Sequence, residues 1–181
     1  ELAKAQEQAR LPEVVVASVQ DQLRRIDSLQ VDIDQLDKRL ASMVKQNQHM
    51  QALQAIPGIG PLTATALVST ATDLSSFDSG RQFAAWLGLV PRQATTGGKP
   101  KLLGITKRGS RYLRKMLIQG ARSAMPTLAK ANTAIGSWLR ALLVRTHPNI
   151  AVVALAAKMA RTVWALLRHG RNYEAVPQAA G

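Results

Sequence analysis

A chain of 181 residues holds one or two domains. Hydrophobic residues make up 46% of it, enough for a packed core, and the absence of cysteine excludes disulfides and thiolate metal sites. The net charge of +13 is one-sided: residues 1–55 carry eight acids and seven bases, whereas residues 56–181 carry 17 bases against Asp73, Asp78 and Glu174. A field of that sign attracts a polyanion, with nucleic acid as the first candidate and an anionic membrane surface as the second. A merely solvated basic surface is the bland alternative, weakened because the two signs are not interspersed. Frequent Ala and the lack of any alternating β-branched run point to an all-α fold.

Residues 1–10 are helix-prone but lack an apolar stripe, and Pro12 suits a first helical turn. The chain starts at Glu1 inside such sequence and reads as a fragment of a longer protein. Residues 13–55 contain no Gly or Pro. Within them Val19, Leu23, Ile26, Leu29, Ile33, Leu36, Leu40, Met43, Asn47 and Met50 follow a heptad spacing with one stammer near Ile26 and Leu29. A helix of that length reaches roughly 65 Å. Its seam needs a partner, and the stretch reads as a coiled coil, either between chains or against another helix of the longer protein. Asn47 on the seam either sets the register or marks where the stripe ends.

The next stretch, Ile56-Pro57-Gly58-Ile59-Gly60-Pro61, joins two helices and resembles a helix-hairpin-helix element. Gly58 and Gly60 can take positive φ and admit a phosphate close to the backbone. The helix N-terminus at Pro61 adds unsatisfied donors. A plain buried corner between helices is the alternative. Residues 63–71 continue as helix, residues 73–80 form a capped loop, and residues 81–87 form a short helix with Phe83, Trp86 and Leu87 as core anchors.

Residues 92–104 read as a polar, Gly-rich loop that holds Arg92, Lys99 and Lys101. It is not a P-loop, because Pro100 follows Gly98-Lys99 where Ser or Thr is required. Thr95, Thr96, Gly97, Gly98 and Lys99 nevertheless make a phosphate cradle. The two hydroxyls would otherwise serve the turn itself. Thr106 or Ser110 caps a helix over residues 110–125. At helical spacing Arg111, Lys115 and Arg122 share one side with Arg114 adjacent, and Leu113, Met116, Leu117, Gly120, Ala121 and Ala124 form the other. With Lys107 and Arg108, these residues bring nine bases and no acid between positions 92 and 122. Such a helix can lie on a membrane, but the Gly-rich loop and the hairpin favour nucleic acid.

Two further helices over residues 126–145 and 149–169 are separated by His147-Pro148, with Asn149 as the N-cap and residues 171–181 as a flexible tail. The apolar stretch 150–167 carries Lys158 and Arg161 and is too polar to span a bilayer; no signal-peptide pattern is present. Trp138, Leu142, Val153, Ala157, Ala160, Trp164 and Leu167 are packing positions, and His49, His147 and His169 are too scattered for a metal site. Two-metal phosphoryl chemistry needs clustered carboxylates. The basic region has none, and no triad is supported. Any chemistry would come from a hydroxyl activated by groups outside the fragment.

Several motifs together resemble a known family, the transposases of the one-ten insertion-sequence family, eleven-eleven subgroup, related to Piv-type DNA invertases. They are Ile56-Pro57-Gly58-Ile59-Gly60-Pro61, Phe83-Ala84-Ala85-Trp86-Leu87-Gly88-Leu89-Val90-Pro91-Arg92-Gln93, Thr96-Gly97-Gly98-Lys99, Gly104-Ile105-Thr106-Lys107-Arg108-Gly109, Arg111-Tyr112-Leu113-Arg114, and Asn149 with Lys158-Met159-Ala160-Arg161 and Trp164. The resemblance covers about residues 12–170. It implies a C-terminal fragment: a coiled-coil arm over residues 1–55 and a compact helical transposase domain over residues 56–170. In the family these follow a RuvC-like domain whose acids bind metal, with Mg2+ expected there and none in this fragment. The resemblance also implies DNA cleavage and rejoining in the bacterial cytoplasm, at the nucleoid. A hydroxyl, here that of Thr96, attacks the phosphodiester and forms a covalent link.

Lys99, Lys101, Lys107, Arg108, Arg111 and Arg114 are then expected to hold phosphates, with Arg92, Lys115, Thr95, Gly97, Gly98 and the Gly58–Gly60 turn also on DNA. Partners implied are DNA, a structured guide RNA in some members, and copies of the same chain as dimer or tetramer; no membrane is implied. Alone, the fragment is not expected to turn over. The alternative is a non-catalytic helix-hairpin-helix module that only binds nucleic acid. Two positions depart from the family pattern: Thr96 stands where Ser is usual, its methyl restricting χ1, and Ala157 stands where Asn is common.

Overall fold

The computed structural model describes residues 12–70, 74–96 and 99–177, with the side chains of Ser75 and of residues 95–102 outside that description. The chain divides into two compact units, Glu1–Ser42 and Met43–Gly181. The fold is all-α apart from one small hairpin. In order, the elements are α1 (Glu13–Gln46), α2 (Gln48–Gln54), α3 (Pro61–Thr70), a 3-10 turn (Leu74–Ser76), α4 (Gly80–Trp86), β1 (Pro91–Thr96), β2 (Lys99–Ile105), α5 (Arg111–Lys130), α6 (Ala134–Arg145) and α7 (Pro148–His169).

Helix α1 has 34 residues, about 50 Å at 1.5 Å per residue. It is shorter than the heptad seam because Asn47 leaves the helical region at φ −125° and caps the next helix, its Oδ1 accepting from Met50 N at 3.1 Å. The polar seam residue thus marks where the stripe ends, since a capped start for α2 outweighs continuation through an Asn. Along α1, Leu23, Ile26, Leu29, Ile33 and Leu36 are exposed by 42–60%. The surface pairs of Asp21 with Arg24 and Arg25 contribute little.

In the second unit α7 is the central element, packed against α4, α5 and α6. By length and composition α7 is apolar enough to cross a membrane, contrary to the expectation that its two charges make it too polar. Its apolar side chains, however, are used in the core: Val152, Leu155 and Val163 are buried against Leu113, Leu117, Phe83 and Leu139 in one cluster. Trp164 Nε1 donates to the carbonyl of Phe77 at 3.2 Å and ties the turn before α4 to α7. Phe77, Phe83 and Trp86 form an aromatic trio with ring centroids 5.3–5.8 Å apart. Trp86 is the exposed member.

Three helix boundaries differ from those read in the sequence. Helix α5 runs through Pro126 to Lys130, giving up one ladder bond in a helix already anchored by Leu117, Ala121 and Leu128. Thr133, not Pro126, starts α6, its hydroxyl accepting from Gly136 N at 3.2 Å. His147 rather than Asn149 caps α7, with Pro148 in the first turn. Asn149 is thereby freed to accept from Arg122 Nη1 at 3.2 Å, a link between α5 and α7. After α7, Gly170 takes φ 61° and Ala134 N donates to Val176 O at 3.0 Å.

The turn before α3 and the middle of α5 approach each other closely, backbone to backbone. Gly58 has φ 91°, and a Cβ there would run into the carbonyl of Gly120; a Cβ on Gly120 would meet the carbonyl of Gly58. The room that Gly58 provides is therefore taken by protein backbone. Gly60 is not in the positive-φ region; it is exposed, its carbonyl accepts from Ala64 N, and a Cβ would meet nothing. Gly120→Ala is expected to cost about 1–3 kcal/mol by overpacking. Gly60→Ala should stay within about 0.5 kcal/mol of wild type. All three Trp lie in the second unit, so urea unfolding followed by Trp fluorescence measures both variants there.

Candidate nucleic-acid interface

The hairpin grows from a corner that several backbone groups lock together. Strands β1 and β2 pair antiparallel from Pro91 opposite Ile105 to Thr96 opposite Lys99, with an irregularity between Pro91 and Gln93. Below the strands the pairing continues: Thr106 N donates to Val90 O at 2.9 Å and Lys107 N to Gly88 O at 3.2 Å. Gly88 and Gly109 have φ 72° and 69°. A Cβ on Gly88 would strike the carbonyl of Arg108, and one on Gly109 the carbonyl of Trp86. The two corners, after α4 and before α5, thus touch backbone to backbone.

Arg114 closes this corner. It is 9% exposed, and its Nη1 donates to Leu87 O at 3.0 Å and to Arg108 O at 2.7 Å. Grouped by sequence with the phosphate-holding bases, Arg114 is instead a buried strut. Its helical phase explains the placement: Arg114 shares a stripe with Leu117, Ala121, Ala124 and Leu128, all buried. A buried guanidinium is tolerated where carbonyl oxygens take its protons.

Around this base the other predicted cations whose side chains are described are on the surface. Arg92 is exposed on β1, Lys107 and Arg108 in the link before α5, and Arg111 and Lys115 on the first turns of α5. Lys107 holds φ 59°, the one non-Gly residue in that region among those described. Such strain is held where surroundings over-determine it and gathers at functional sites; here the Lys107 N–H bond to Gly88 O fixes it. Ser110, of the two capping candidates, accepts from Leu113 N at 3.3 Å. The Thr106 hydroxyl is buried and makes no hydrogen bond among the described residues.

Thr95 and Thr96 end β1 opposite Pro100 and Lys99. At about 3.4 Å per residue, Thr96 stands about 17 Å along the strand from Pro91. Gly97 and Gly98 lie outside the described residues, as do the side chains of Thr95, Thr96, Lys99 and Lys101. What reads in sequence as a Gly-rich loop is for the rest a β-hairpin. The Gly58–Gly60 turn is carried by α2 and α3, apart in sequence from the hairpin. Among the described residues no group of three or more His, Asp or Glu stands together to hold a metal.

Some residues near the hairpin base were not read as a site from the sequence, Trp138 being taken as packing and Arg161 only as part of a family motif. Arg81 on α4, Trp138 on α6 and Arg161 on α7 surround an open apolar cavity with Ile105 at the foot of β2. Lys158 Nζ stands 4.9 Å over the Trp138 ring. Burial, and then the charge of Arg161, hold the Lys158 amine below the usual lysine range. The signal available was the Lys158-Met159-Ala160-Arg161 run, which places two cations a turn apart on an otherwise apolar helix.

The described residues thus form a helical unit with an anchored hairpin and exposed cations around its base. Comparison with known proteins makes this specific. A profile described as "Transposase IS116/IS110/IS902 family" matches residues 50–135, from within α2 through the hairpin and α5 to the start of α6. A probable family 20 transposase of Pseudomonas aeruginosa is 42% identical over 173 residues, 96% of this chain and 51% of that protein. The transposase for insertion sequence element IS1111A of Coxiella burnetii is 41% identical over 141 residues, 78% of this chain and 39% of that protein. The transposase for IS1328 of Yersinia enterocolitica is 36% identical over 169 residues, 93% and 51% respectively. The chain belongs to the IS116/IS110/IS902 family of insertion-sequence transposases. It spans about half the length of the Pseudomonas and Yersinia relatives and 39% of the Coxiella one.

Removing the Arg114 strut leaves two inward carbonyls without their donor. Arg114→Met is expected to cost about 2–4 kcal/mol, and Arg114→Lys to recover part of it. Hydrogen exchange at the Thr106 and Lys107 amides reports the hairpin base directly and should accelerate in Arg114→Met beyond the change in global unfolding.

Proposed function

We propose that this chain is the part of a transposase that grips DNA and presents a hydroxyl for strand cleavage and rejoining. The observation that carries the reading is the basic face around a locked hairpin base, Arg92, Lys107, Arg108, Arg111 and Lys115, in a stretch without a single acid. Such a face holds backbone phosphates without reading sequence. The exposed turn at Gly60 and the N-terminus of α3 add backbone donors as a helix-hairpin-helix contact. Gly58 is excluded from direct contact in this reading because Gly120 fills its open side.

Thr96 is the proposed nucleophile and Lys99 and Lys101 its phosphate-holding neighbours. Its hydroxyl oxygen attacks the phosphorus, the P–O bond to the departing strand breaks, and a phosphothreonine ester forms. The hydroxyl proton passes to a base outside this chain, a reading supported by the lack of any acid between Asp78 and Glu174 in the sequence. Mg2+ would belong to an acid-bearing RuvC-like domain elsewhere in the full-length protein, and a structured guide RNA is a further partner of that whole. A non-catalytic nucleic-acid-binding module is the second reading, favoured by the absence of acids here. The two separate in the full-length protein incubated with Mg2+ and a nicked suicide DNA substrate. A covalent adduct should form with wild type and vanish with Thr96→Ala; an adduct that persists in Thr96→Ala rules out this nucleophile.

The open stripe of α1 is proposed to pair with another copy of the chain as a coiled coil. Leu29→Asp with Ile33→Asp should then shift the chain to a monomer in sedimentation equilibrium. A wild type that is monomeric at high concentration contradicts the pairing.

A further inference from the structure

The cavity beside the hairpin base has a volume of about 900 Å³ and is bounded by α4, α6, α7 and the feet of β1 and β2. Its wall is apolar, with Trp138, Val153 and Ile105 facing it, and its polar edge includes Arg81 and Arg161. A second cavity of about 820 Å³ lies along the next turns of α7 and is lined by Lys158, Arg161 and Arg171, with His169 and one acid, Glu174. Arg161 lines both. Lys158 joins them as well, since its amine in the second cavity stands over the Trp138 ring of the apolar one.

The pairing of the two spaces is the informative feature. A solvated basic surface needs no apolar room with an aromatic wall, and an apolar segment of protein has no use for cations at its rim. A flat ring attached to phosphate uses both. We propose that the two cavities take one unpaired nucleotide of the DNA strand. Its base enters the apolar cavity against Trp138, its own phosphate meets Arg81 and Arg161, and the next phosphate meets Lys158 and Arg171. The inference rests on the reading that this chain binds DNA, and its charge complementarity is the same: Arg81, Lys158, Arg161 and Arg171 line the two cavities against one acid, Glu174. Extruding a base costs least where it is already unpaired, and stacking on an aromatic side chain returns enough for a preference of about tenfold or more.

The test compares three short DNAs of one sequence at fixed salt, by fluorescence anisotropy with the 181-residue chain. One is fully paired, one carries a single-nucleotide bulge, and one carries the same bulge as an abasic site. The bulged DNA should bind about tenfold more tightly than the paired one, and the abasic bulge should lose that preference. Ala154→Trp, which fills the apolar cavity, should erase the preference and leave paired-duplex affinity unchanged. Should that variant unfold by Trp fluorescence, Arg161→Gln at an exposed position should still reduce the preference several-fold.

Equal affinity for the paired and bulged DNAs overturns the inference while leaving duplex binding intact. A preference retained in folded Ala154→Trp, or in Arg161→Gln, also overturns it. If folded Ala154→Trp keeps the preference and loses self-association, the cavity belongs to a second copy of the chain. Binding of bulged but not paired DNA supports the inference and contradicts the duplex-backbone reading. Binding of neither overturns both.

Discussion

One guanidinium holds the region together. Arg114 reaches from the first turn of α5 to the carbonyls of Leu87 and Arg108, and so joins the end of α4, the return of the hairpin and the start of the basic helix. The two corners it bridges can approach only because Gly88 and Gly109 lack Cβ atoms. Everything proposed for function hangs from that junction: the strand that carries Thr96, the strained Lys107, and the exposed face of α5. A buried cation surrounded by carbonyl dipoles holds its geometry well, because moving it would leave charge and acceptors unpaired in a dry site.

The same junction shows what the sequence could and could not tell. The all-α class was legible from Ala content and helical spacing, and the family from its dense motifs. The exposed cations of α5 were legible from their 100° spacing. Arg114 was not, because its chemistry matches that of Arg111 and Lys115 and only its phase on the buried stripe separates it from them. The hairpin was hidden for another reason. Neither Pro91-Arg92-Gln93-Ala94 nor Leu102-Leu103-Gly104 alternates in the way that marks a strand, and pairing is fixed from outside by the bonds at Val90 and Gly88. Gly97-Gly98 between two polar runs was the available hairpin signal.

Helix ends were decided by caps that compete locally. Asn47 and His147 each ended one possibility by accepting a backbone proton, and Asn149 was then free to join α5 to α7. Pro126 fell inside a helix because the tertiary contacts around it outweighed one lost bond. The apolar cavity was illegible for a deeper reason, since its walls come from positions as far apart as Arg81 and Arg161.

The surface around the locked hairpin base is proposed to hold DNA through its phosphates. The most direct measurement is the salt dependence of duplex binding by this chain. Contacts from Arg92, Lys107, Arg108, Arg111 and Lys115 predict a log–log slope of about −4.5, and Lys107→Ala with Arg108→Ala should make it shallower by about 1.8. A slope near zero, or one that the double substitution leaves unchanged, would contradict the claim.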